Sequence, residues 1–171
     1  EKWGLDQLDE RVVLDQDKPS VLGQQELNDR FGEALFVANM DGELFDDIAV
    51  GVPRETLNDG QPNEVSNTGV VQVFTSSPQI DGAGDFLLHQ DLDGIPGQSQ
   101  PSDFFGSSIN GGFFDSSAGL DLVVGVPLED IGSELQNAGI FHVMYDTDQG
   151  ANPTKQEIWT QDDFGLGLGV G

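Results

Sequence analysis

Shifted along itself by 74 positions, the chain matches itself without a gap. Leu14 falls on Leu88, Gln16-Asp17 on Gln90-Asp91, Gly23-Gln24 on Gly97-Gln98, Phe31-Gly32 on Phe105-Gly106, and Gly51-Val52-Pro53 on Gly125-Val126-Pro127. Asp29, Asp41 and Asp47 land on Asp103, Asp115 and Asp121 in the same register. A self-match at one offset, carried by Gly, Pro, Phe and Asp rather than by generic apolar residues, marks a duplicated structural unit. Folds whose two halves occupy unlike environments give no reason for such a match.

Each copy carries four short β signals. Residues 31–38 match 105–111, and the Val- and Ile-rich 47–53 match 121–127, both ending at proline as buried strands do. Residues 69–74 then match 139–144 at an offset of 70, and 86–90 match 157–161 at 71. No stretch shows helical periodicity over 11 or more residues. The 23 glycines and 8 prolines fall between apolar runs, as tight turns between short strands do. Four strands, a loop and four strands again suit a β-sandwich or a β-propeller, and the repeat favours the propeller, where successive blades occupy equivalent positions.

Charge narrows the choice of partners. Acidic residues outnumber Lys and Arg by 31 to 6, for a formal net charge of −25. Such a field repels phosphate backbones and anionic membrane surfaces, so nucleic-acid binding and membrane insertion are not expected, whereas cations are natural partners. Cysteine is absent, which removes disulfides and thiolate zinc sites from consideration. No run approaches the roughly 20 apolar residues of a membrane-spanning helix.

One loop has cation chemistry. Between the first two strand signals, Asn39, Asp41, Glu43 and Asp47 stand at positions 1, 3, 5 and 9, and the Phe45 carbonyl stands at position 7. Alternate residues of a tight loop point to the same side, so these oxygens can converge on calcium, which takes 6 to 8 oxygen ligands at about 2.3–2.6 Å. A metal-free network of Asx turns is the other reading. In the second copy Phe113 replaces the first ligand, leaving Asp115, Ser117, Gly119 and Asp121; there Phe113 is expected to pack while Asp115 and Asp121 tie the turn.

The loop is framed by Phe31-Gly32 and Gly51-Val52-Pro53, and 19 positions separate the two glycines in both copies. This arrangement resembles the FG-GAP repeat of integrin α-subunit propellers and of bacterial surface and secreted proteins. The resemblance covers nearly the whole chain and implies calcium in the first loop. Leu44 stands where that family has glycine, so a strained, left-handed leucine is expected there. The resulting division is residues 1–30 as the end of a preceding blade and its linker, 31–104 as the first blade and linker, 105–163 as the second blade, and 164–171 as the start of a following one. The remaining blades then come from a longer chain or from other copies.

No nucleophile elbow, phosphate loop or zinc motif is present in the sequence. His89 and His142 read as ordinary strand side chains, and Trp159 as a packing residue between blades rather than, like Trp3, a sugar platform. With the resemblance, these residues lead to the expectation of a non-catalytic, calcium-binding propeller segment, and the resemblance implies an extracellular one, secreted or on the cell surface, that binds a protein or glycan in adhesion. Two other readings stay open: an accessory propeller of a secreted hydrolase or lyase, and a structural subunit that completes rings or filaments by oligomerisation.

Overall fold

A computed structural model describes residues 13–58, 61–76, 80, 82, 84–116, 119–145 and 155–164. Eight strands are arranged as β1 Ala34–Ala38, β2 Asp47–Val52, β3 Val70–Phe74, β4 Phe86–Leu88, β5 Ser108–Gly112, β6 Asp121–Val126, β7 Ile140–Tyr145 and β8 Lys155–Trp159, followed by a 3-10 turn at Gln161–Phe164. They form two four-stranded antiparallel sheets, each a simple meander in chain order. The fold is all-β, and the described residues form no closed ring.

The repeat extends to the hydrogen-bond register. Ala34 faces Gly51 as Ser108 faces Gly125, Ile48 faces Phe74 as Leu122 faces Met144, and Val71 faces Leu88 as Phe141 faces Trp159. Because a slip of one residue would send every side chain to the opposite face, this shared register gives the two sheets equivalent faces.

Those faces meet head to tail. Phe36, Ala49, Val71, Val73, Phe86 and Leu88 lie on one face of the first sheet, here the A face. They share one apolar core with Ile109, Leu122, Val124, Met144 and Ile158, which lie on the opposite, B face of the second sheet. The corresponding B face of the first sheet, with Ile48, Val50 and Phe74, packs instead with Leu14, Val21, Phe31 and Ile80.

The repeated glycines lie where backbones cross at this joint. A Cβ on Gly51 would stand 2.2 Å from the Gly106 carbonyl oxygen, and one on Gly69 would stand 2.2 Å from that of Phe105. The Phe-Gly pair of one unit therefore rests on the Gly-Val-Pro strand and third strand of the unit before it. Phe105 N donates to Thr68 O at 2.8 Å, and its ring is fully buried.

Several strand expectations need correction. The first strand of each unit begins three residues later than read, because Gly32 and Gly106 take positive φ in the turn that feeds it. The expected fourth-strand stretch ending at Gln16 is coil and turn over residues 13–16, since no strand among the described residues lies beside it; residues 11 and 12 are outside them. Gln161 belongs to the 3-10 turn, as do Asp163 and Phe164, and the rest of the expected following strand, 165–171, lies outside the described residues.

Candidate functional site

The loop from Asn39 to Asp47 is folded by its own polar groups. Asn39 Oδ1 accepts from Gly42 N at 2.8 Å and Asn39 Nδ2 donates to Glu43 O at 2.5 Å, while Asp41 Oδ1 accepts from Glu43 N at 2.9 Å. Asp47 is fully buried, and its Oδ2 accepts from Met40 N at 2.7 Å and Asp41 N at 3.1 Å. Its other oxygen accepts from Ser76 N at 2.9 Å, tying the loop to the end of β3. Burial holds the Asp47 carboxyl above its ordinary range, although these three amides pull it down.

Gly42, not Leu44, carries the positive φ in this loop. The strain expected at Leu44 is therefore absent: the turn is closed two residues earlier, where glycine bears it without penalty, and Leu44 is exposed. Phe45 is also partly exposed. The donor types, all hard oxygens, fit calcium, but Asn39 and Asp47 would have to exchange amide partners for the ion. Among the described residues, no three His, Cys, Asp or Glu side chains are grouped so as to hold a metal.

In the second loop Asp121 repeats the role of Asp47: it is fully buried and accepts from Phe114 N at 2.6 Å. Ser117 lies outside the described residues, while Asp115 and Gly119 are described. Phe113 does not pack as expected; it is 67% exposed, and its neighbour Phe114 rather than Phe113 joins the rings of the A face.

That A face is an aromatic surface. Phe141 and Trp159 stack with ring centroids 6.4 Å apart and planes 5° from parallel, and Phe164 stacks on them at 6.1 and 5.6 Å. With Phe114, Val123, Val143 and Tyr145 these rings line a groove. Phe141 and Trp159 occupy the register positions that Val71 and Leu88 fill in the first sheet, where they are buried against the second. Sequence reading placed Trp159 in packing between blades but missed Phe141, Phe114 and Tyr145; the alternation of β7 could have grouped Phe141 with Tyr145, whereas Phe114 lies in the loop after β5.

His142 is fully buried on β7 with its ring edge-on to Phe105 at 5.6 Å, and burial pushes its pKa down to about 4. His89 lies one residue beyond β4 rather than on it. Trp3 is outside the described residues. Compared with known proteins, the chain matches no family model and no curated relative.

Proposed function

We propose that the chain is a non-catalytic, propeller-type repeat segment of an extracellular protein that binds a protein or glycan, its first loop stiffened by calcium. The observation that carries this reading is the head-to-tail packing of two sheets with one register. A heterologous contact of this kind propagates, so the A face left by the second sheet suits the B face of a further blade. Calcium would be held by the side chains of Asn39, Asp41, Glu43 and Asp47 and by the Phe45 carbonyl. Bound there, it would neutralise carboxylates that otherwise repel one another and would couple loop order to the ion.

Two measurements test the reading. Calcium is expected to raise the melting temperature by several degrees over a chelator control, and Asp41→Ala is expected to abolish the rise; an unchanged melt in the native chain removes calcium from the proposal. The second reading, a subunit that oligomerises, is favoured by the aromatic A face. Sedimentation of the chain should then show concentration-dependent association that Phe141→Glu with Trp159→Lys abolishes. A strictly monomeric chain over the micromolar range would leave the blades to be supplied within one polypeptide.

A further inference from the structure

The positions repeated at 74 include a second cluster, away from the cation loop. Gln90, in the turn after β4, donates through Nε2 to Glu129 Oε2 at 2.7 Å; Gln16 donates to Glu55 Oε2 at 2.7 Å in the same register. Beside each glutamate lies a buried aspartate from the linker before the next Phe-Gly pair. Asp103 accepts from Gln100 N and Asp29 from Glu26 N, each at 2.5 Å. All six side chains are buried, with Asp103 only 2% and Gln90 only 1% exposed. The Asp103 carbonyl accepts from Leu128 N at 3.4 Å and that of Asp29 from Arg54 N at 3.2 Å, which sets each aspartate beside the residue preceding its glutamate. Gly97 and Gly23, at φ of 106° and 92°, roof the two clusters: a Cβ would come within 3.3 Å of Gln90 Nε2 or 2.9 Å of Gln16 Nε2.

We propose that these clusters are proton latches: each buried Asp–Glu pair shares a proton and, through its glutamine, fastens a sheet to the segment that precedes it. Geometry supplies the reason. Two adjacent carboxylates cannot both stay ionised away from water, and a shared proton converts their repulsion into a hydrogen bond. Gln90 Oε1, buried without a hydrogen-bond partner, lies on the amide that meets Glu129 and can accept from that carboxyl when it too is protonated. The charges facing the pairs are themselves acidic: Asp130 acts on Asp103 and Glu129, and Glu26 with Asp29 acts on Glu55. The neighbouring cations are committed elsewhere, Arg30 to Glu33 at 3.0 Å and Arg54 to the face of Phe104. Burial accordingly raises Asp103 and Glu55 to about 7, and Glu129 upward as well.

The sign follows from linkage. A carboxyl with a raised native pKa binds more protons folded than unfolded, so its latch is strongest at low pH and weakens as pH rises from the ordinary carboxylate range to about 7. Each retained proton lowers the folding constant about tenfold per pH unit across that window. His142 acts oppositely, since its depressed pKa costs stability as pH falls from 6.5 to about 4. The test is therefore made in a His142→Gln background, in chelator, by urea unfolding from pH 5 to 8 together with carbon-13 titration of the carboxyls.

Two carboxyls titrating near 7 are expected, and Asp103→Asn, a permanently neutral donor, should remove one proton's worth of the slope. Amide exchange at Phe105, whose N–H crosses the joint, should quicken above pH 7 beyond intrinsic base catalysis, but not in Asp103→Asn. Titration of every buried carboxyl below about 5, or an Asp103→Asn slope equal to that of the parent, would overturn the proposal. If Asp103→Asn fails to fold, the carboxyl titration of the parent decides alone.

Discussion

Gly69→Ala is expected to lower the unfolding free energy by about 3 kcal/mol or more, chiefly by forcing apart the joint between the two sheets. Gly69 sits at a φ of 83°, and a Cβ there would stand 2.2 Å from Phe105 O, 2.7 Å from Phe105 N and 2.9 Å from Pro53 O. All three are backbone atoms, so no side-chain rotation relieves the collision. Relief requires Phe105 to retreat, which breaks its 2.8 Å bond to Thr68 O and withdraws a buried ring from the shared core.

Two internal controls separate the causes. Gly42→Ala, at a φ of 75° with nothing within 4 Å, reports backbone strain alone, about 1 kcal/mol. Gly139→Ala, the repeat equivalent of Gly69, has Pro127 of its own unit as its nearest neighbour, at 2.7 Å from the carbonyl oxygen. Urea unfolding should rank the losses Gly69 first, then Gly139, then Gly42. Equal losses at Gly69 and Gly42 would mean that the close approach contributes nothing.

The same glycines explain part of what was legible. At the joint a backbone crossing leaves room only for glycine at Gly51, Gly69 and Gly106; Gly51 and Gly106 have counterparts in Gly125 and Gly32 at the 74-residue offset, and Gly69 has one in Gly139 at 70. Boundaries were harder to read, because Phe31-Gly32 and Phe105-Gly106 are apolar and strand-like in composition yet form turns, the second of them at the joint. The polar clusters were half visible. Gln16, Gly23, Asp29 and Glu55 all recur 74 positions later as Gln90, Gly97, Asp103 and Glu129, but the two glutamates, two residues beyond the repeated prolines, read as ordinary surface acids in a chain with 31 of them. Acid count conceals a buried carboxylate; only contact reveals it. Leu44 illustrates the converse, since a family pattern assigned it a strain that Gly42 bears instead.

Asp47→Ala should cost about 3–4 kcal/mol in the presence of chelator, making this carboxylate a structural cap before any ion is considered. Its two oxygens accept from Met40 N, Asp41 N and Ser76 N, and the residue is wholly buried, so truncation strands the buried amides of Met40 and Ser76 and leaves the half-buried one of Asp41 without its acceptor. Asp47→Asn should recover only part of the loss, because its amide group turns donors toward donors on one side. Asp41→Ala, by contrast, removes one acceptor for Glu43 N at an exposed turn and should cost under about 1 kcal/mol in chelator. Calcium then divides the two roles. If the ion is held as proposed, Asp41→Ala shows most of its loss only when calcium is present, whereas Asp47→Ala shows most of its loss in either condition. A near-neutral Asp47→Ala in chelator would show that the amides are not what this carboxylate serves, and that its burial in the native chain is purposeful only with a cation beside it.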